Sequence, residues 1–158
     1  MWRSRKTGML TVLTQPSAIL VVDANPLSRQ LTCDLLKRAG HRVSWVADGL
    51  AALAKVRSER PDALVVDNNL PGLTGIELVR WLRALPETAT IPVLGQCAFC
   101  GPEQAARFIA AGCTRFFAKP IVSAQSFLAA IAGMLRREPE AAAPAPRPSN
   151  VIPLRRAS

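Results

Sequence analysis

Four polar residues carry the chemistry that this 158-residue chain could perform, and each closes or follows a short apolar run. Asp23 ends AILVVD (18–23), Asp67 ends ALVVD (63–67), Cys97 follows IPVLGQ (91–96) and Lys119 follows RFFA (115–118). Two carboxylates and an ammonium make a poor apolar core. At the ends of strands sharing one sheet, all four would face one crevice. A carboxylate there can serve as a nucleophile or as a hard oxygen ligand for a divalent cation, and a lysine ammonium is a point charge suited to phosphate. The plainer reading, in which each acid merely caps the next helix, suits a lone acid. It does not account for polar residues at four ends at once.

The elements that must position these residues follow from the apolar pattern. AILVVD is β-branched and continuous, and Asn25 then caps a helix with Pro26 at its first position, bearing Leu27, Leu31, Leu35 and Leu36 and stopping at Gly40. RVSWVA (42–47) is a second strand, and Asp48 caps a short helix with Leu50, Leu53 and Val56. After ALVVD comes NNLPGL (68–73), dense in turn formers. Thr74 and Glu77 then make a T-x-x-E capping box before Ile76, Leu78, Val79 and Leu82. IPVLGQ is the fourth strand, Pro102 opens a helix that Gly112 stops, RFFA is the fifth strand, and Ser123 starts a last helix with Phe127, Leu128, Ile131, Met134 and Leu135. Continuous apolar strands imply burial on both faces, the mark of a parallel sheet, and right-handed crossovers place helices on both sides. The expected fold is α/β, a doubly wound five-stranded parallel sheet of (βα)5 type, whose sites gather at the carboxyl ends of the strands.

Composition sets the bounds. Apolar residues make up 49% and charged residues 20%, so wholesale disorder is excluded. The net charge of +9 invites a nucleic-acid reading, but position weakens it. Residues 1–17 carry Arg3, Arg5 and Lys6 without an acid, and residues 138–158 carry Arg147, Arg155 and Arg156 against Glu138 and Glu140. Nearly half of the excess thus sits at the two ends, and the middle is only mildly basic. The expected organisation is a flexible N-terminal extension (1–17), one domain (18–137) and a disordered Pro/Ala/Arg-rich tail (138–158). No run approaches the roughly 18 apolar residues of a membrane span, and the apolar stretch after the first basic residues is broken by Thr11, Thr14, Gln15 and Pro16 without a cleavage site. A cytoplasmic location with reduced thiols is expected for Cys33, Cys97, Cys100 and Cys113. His41, after the Gly40 stop, reads as a solvated turn residue.

Taken together, VVDANP (21–26), VVDNNLPGLTGIEL (65–78), IPVLGQCA (91–98) and FFAKP (116–120) resemble the receiver domain of two-component response regulators over residues 18–137. The resemblance implies a flavodoxin-like fold and a phosphorelay role. Asp67 matches the aspartate that accepts a phosphoryl group from a histidine kinase or phosphotransfer protein, and Lys119 matches the lysine that pairs with that group, followed by a proline, Pro120, that is commonly cis. Asp23, Asp67 and the main-chain carbonyl of Asn69 match the positions that hold Mg²⁺. The resemblance also implies a downstream protein partner docking on the last helix-strand-helix face, roughly 101–135, and a monomer or weak dimer. At most the chain would be a phosphoacceptor with self-dephosphorylation rather than a conventional enzyme.

The departures are chemical. The second acid of the usual pair is Ala24, so Mg²⁺ binding is expected to be weak. The switch position that usually offers a hydroxyl is Cys97, a weaker donor, and the aromatic switch position is Phe116, without a phenol. These departures keep open a phosphorylation-independent pseudo-receiver acting as an interaction module. The spacing C-A-F-C keeps open a thiol redox sensor through Cys97 and Cys100. Only 21 residues follow the domain. A helix-turn-helix output domain is not expected in so few, so no specific nucleic-acid partner is expected, and the lack of a long apolar run gives no expectation of a membrane partner.

Overall fold

The computed structural model describes residues 16–136. Apart from residues 16 and 17, the expected extension and tail fall outside the described residues. Five strands alternate with five helices: β1 (Ala18–Val22), α1 (Pro26–Arg38), β2 (Arg42–Val46), α2 (Gly49–Glu59), β3 (Ala63–Asp67), α3 (Gly75–Ala84), β4 (Val93–Ala98), α4 (Pro102–Ala111), β5 (Arg115–Lys119) and α5 (Ala124–Arg136). All strand pairs are parallel, in the order β2-β1-β3-β4-β5. The expected doubly wound sheet is therefore present, and its order reverses between β1 and β3, where such folds place ligands.

Period-two alternation divides each central strand between two cores. Leu20, Val22, Leu64 and Val66 pack with Val56 of α2, Val79 and Leu82 of α3 and Phe108 of α4. Ile19, Val21, Ala63 and Val65 face the other way, onto Leu36 of α1 and Phe127, Ile131 and Met134 of α5. Each fully buried aliphatic or phenyl side chain contributes roughly 1.5–3 kcal/mol over leaving it in water. The expectation of burial on both faces holds for the central strands. The edge strands depart from it: Arg42 and Trp45 of β2 and Ala118 of β5 are exposed.

The caps stand where the sequence placed them. Asn25 accepts from the Ser28 amide, Asp48 from the Ala51 amide, and Thr74 and Glu77 form the reciprocal box. Gly112 closes α4 at φ 115°, a left-handed conformation open to glycine at little cost. Strand limits differ from expectation. β1 stops at Val22, so Asp23 follows it. Cys97 and Lys119 lie inside strands rather than after them, because Cys97 pairs with Ala118 and Ala98 with Lys119. His41 is half-buried rather than solvated; its Nδ1 is buried without a hydrogen-bond partner, and burial lowers its pKa.

Candidate functional site

Strand register sets the site. Val22 pairs with Val66, so the residues that follow, Asp23 and Asp67, stand level at the carboxyl edge. Asp67 pairs with Gln96, and Gln96 with Phe117, which puts Lys119 two residues farther along the next strand but one. By alternation Asp23, Asp67 and Lys119 share the α1/α5 side of the sheet. The lysine stem is long enough to reach back across β4. Its Nζ donates to Asp23 Oδ2 at 3.0 Å and pairs with Asp67 Oδ1 at 3.0 Å. Both carboxylates are buried, Asp23 2% and Asp67 5% exposed.

The chain around the triad saturates it with donors. Asp23 Oδ1 accepts from the Asn25 amide at 2.9 Å, and its Oδ2 also accepts from Ser28 Oγ at 2.7 Å. Arg29 Nη1 donates to the Asp23 carbonyl at 3.1 Å, and its guanidinium lies 3.7 Å above the Trp45 ring. Asp67 Oδ2 accepts from the Asn69 amide at 3.0 Å. Asn68 ties down the turn: its amide donates to the Gln96 carbonyl, its own carbonyl accepts from Leu70 and Gly75, and its Oδ1 accepts from the Ile76 amide. Gly75 is required by proximity rather than torsion, since a Cβ there would overlap the Asp67 carbonyl oxygen and come within 2.8 Å of Asn68 Cα.

Burial pushes the Asp67 carboxyl above its ordinary value, and the Asp23 charge adds to the rise. The hydrogen bond and charge of Lys119, with the Asn69 amide, pull the other way without fully cancelling it. Asp67 is therefore a desolvated carboxylate with one cation beside it, a reactive setting for a nucleophile.

The structure thus brings together Asp23, Asp67, Lys119 and the main chain of Asn69. It does not bring all four strand-end residues into one crevice. Cys97, of opposite parity, packs in the apolar cluster of α2, α3 and α4, with its sulfur against that of Cys100. Phe116 lies on that same face, its ring 5.7 Å from Phe108. The peptide bond between Lys119 and Pro120 is cis. Ala24 is partly buried against the same apolar cluster. Three residues that hold the site escaped the sequence reading. Ser28 and Arg29 drew no reading of their own, and Gln96 entered only as the end of an apolar run. Gln96 is 1% exposed, and its Nε2 is buried without a partner.

A family model described as the response regulator receiver domain matches residues 19–132. The chain belongs to this family. The polar-differentiation response regulator DivK of Brucella anthropi is 33% identical over 106 residues, which cover 67% of this chain and 86% of that protein. Among solved structures, the chemotaxis protein CheY4 of Vibrio cholerae is 31% identical, with a TM-score of 0.68 over 73% of this chain and 95% of that one. The receiver domain of a sensor histidine kinase from Pseudomonas aeruginosa, described with a magnesium ion coordinated in its active-site cleft, is 28% identical, with a TM-score of 0.70 over 78% of this chain and 99% of that one. This receiver domain therefore works in two-component signal transduction. No helix among the described residues is long and apolar enough to cross a membrane.

Proposed function

We propose that Asp67 accepts a phosphoryl group from the histidine of a kinase or phosphotransfer protein, and that the loaded domain signals by protein contact. The observation that carries this reading is the buried Asp67–Lys119–Asp23 triad at the switch point of the sheet. An Asp67 carboxylate oxygen attacks phosphorus, the bond from phosphorus to the donor imidazole nitrogen breaks, and its electron pair leaves on that nitrogen. The Lys119 ammonium, already bridging two carboxylates, can turn to the incoming phosphoryl oxygens, which relieves Asp67 of its counter-ion only as new negative charge arrives. Asp23 keeps that ammonium in place and is itself held by Ser28 and the Asn25 amide.

Family membership implies a Mg²⁺ ion, and the donor set suits a hard cation: Asp23, Asp67 and the Asn69 carbonyl are oxygen ligands. They are one carboxylate short at Ala24, so we read the affinity as low. Bound there, the ion would neutralise charge on the transferred group. We assign the downstream partner to the α4-β5-α5 face, roughly 101–135, on the family resemblance. The test is to incubate the full chain with acetyl phosphate and Mg²⁺ and weigh it intact. One added phosphoryl mass, lost in Asp67→Asn, is the expected result. No added mass from either acetyl phosphate or a phosphorylated histidine donor would favour the interaction-module reading, for which the missing acid at Ala24 is the specific argument.

A further inference from the structure

Two cysteines flank the turn that joins β4 to α4: Cys97 inside the strand and Cys100 after it. Cys97 and Cys100 have Cα atoms 5.8 Å apart, inside the span of about 4.4–6.8 Å that a disulfide bridges without moving the backbone. Both sulfurs also converge on one atom, the Ala98 carbonyl oxygen, at 3.6 and 3.4 Å. Between them Phe99 takes a left-handed φ of 55° with its ring fully exposed. A non-glycine residue adopts that conformation at a cost. The turn leaves the phenyl ring in solvent and sets the two sulfurs side by side.

Of the four cysteines only Cys100 is partly exposed; Cys33, Cys97 and Cys113 are buried. Cys33 and Cys113 are buried free thiols. Burial raises the pKa of both, that of Cys113 to about 12, and the Cys113 sulfur is engaged by the Gly95 amide and the Val93 and Arg115 carbonyls. Such thiols supply almost no thiolate at neutral pH. Cys97 is 7% exposed, whereas Cys100 is partly exposed just before α4. An incoming reagent therefore meets Cys100 first, with Cys97 behind it.

We propose that Cys97 and Cys100 are a reversible thiol–disulfide pair, oxidised by small disulfides of the glutathione class, whose oxidation fixes the β4–α4 turn. The Cys100 thiolate attacks one sulfur of the small disulfide; that S–S bond breaks and one small thiolate leaves. The Cys97 thiolate then attacks Cys100 Sγ, closing the internal bond and expelling the second small thiolate. The two protons given up by the cysteines end on the two small thiols, and two electrons pass from the chain to the small disulfide. The turn is wired to the acceptor site, because Gln96, next to Cys97, pairs with Asp67 and accepts from the Asn68 amide. That this tunes signalling rests on the phosphoacceptor reading above; the thiol exchange itself does not.

The test uses the full chain equilibrated with excess reduced or excess oxidised glutathione, quenched in acid, unfolded, alkylated with N-ethylmaleimide and weighed. The reduced sample is expected to take an alkyl group on every cysteine. The oxidised sample is expected to take it only on Cys33 and Cys113, as located by peptide mapping. Full alkylation of the oxidised sample overturns the proposal, as does a disulfide mapped to Cys33, to Cys113 or between chains. Cys100→Ser is expected to keep Cys97 alkylatable in both buffers. Amide exchange over residues 98–104 is expected to slow by about tenfold on oxidation, reporting local opening; unchanged rates there refute the fixing of the turn. Asp67→Asn is expected to leave the thiol count untouched while abolishing phosphorylation, so failure of the redox pair and failure of the phosphoacceptor reading show in different measurements.

Discussion

Replacing Lys119 with Met keeps most of the stem and removes the charge, which isolates what the ammonium does. Each of its two contacts is 3.0 Å long, and at an effective dielectric of about 20 each is worth roughly 5 kcal/mol of gross Coulomb attraction. Desolvation offsets much of that. Stripping one partner from a buried pair nevertheless costs about 3–5 kcal/mol, because the charges left behind stay buried. Here two remain, Asp23 and Asp67, each at most 5% exposed. For a domain of this size, 1 kcal/mol moves the melting temperature by about 4 °C, so Lys119→Met should melt roughly 10–20 °C lower at pH 7.5. The loss must also depend on pH. The Asp67 carboxyl already lies above its ordinary value through burial and Asp23, and the variant deletes the Lys119 hydrogen bond and charge that oppose this rise. A carboxyl raised in the fold costs nothing below its unfolded pKa of about 3.9, and costs progressively more up to its folded pKa. The destabilisation should therefore shrink as pH falls toward 4. Thermal or urea unfolding at pH 4.5 and 7.5 measures it. An equal loss at both values, or a loss under about 1 kcal/mol at pH 7.5, would refute the view that the ammonium serves as counter-ion to two buried carboxylates.

Other substitutions probe neighbouring links. Ala24→Asp adds a third acid beside Asp23 and Asp67: we expect a lower melting temperature without divalent cation, recovery with millimolar Mg²⁺, and faster phosphorylation by acetyl phosphate, read by intact mass. Gly75→Ala should destabilise by about 1–3 kcal/mol although Ala is the better helix former, because the new Cβ meets backbone that cannot yield; a gain in urea midpoint would contradict the close approach. Thr74→Ala removes the acceptor of the capping box and should cost about 1 kcal/mol in unfolding free energy without altering phosphorylation at saturating donor.

The parts of this molecule legible in its sequence are those whose physics is local. The caps at Asn25, Asp48 and Thr74, the stop at Gly112 and the alternation of apolar runs with helical patterns each depend on residues within a few positions, and each stands where local chemistry put it. What depends on register was not legible. Lys119 and Cys97 extend their strands only because partners on neighbouring strands offer hydrogen bonds there. Cys97 separates from the acids only because one residue of offset turns a side chain to the other face of the sheet. The spacing C-A-F-C suggested the Cys97–Cys100 pair, but not the left-handed turn at Phe99 between them. Ser28 is the same lesson inside a helix: its amide serves the Asn25 cap, as its spacing suggests, while its hydroxyl reaches Asp23, a direction no spacing encodes.

Ala24 shows how the two levels combine. Its identity departs from the paired acids that the family resemblance implies, and its packing suits a small apolar side chain. The side chain leans on the apolar cluster around Leu20 and Val22, where a methyl group is welcome and a charge would be desolvated. Asp23, without an acidic neighbour, takes its compensation from Lys119, Ser28 and the Asn25 amide. Two carboxylates and one ammonium leave the resting cleft with a single excess negative charge. A third acid would leave two, a repulsion that a bound divalent cation would offset. Alanine at this position therefore spares the resting cleft a second uncompensated negative charge.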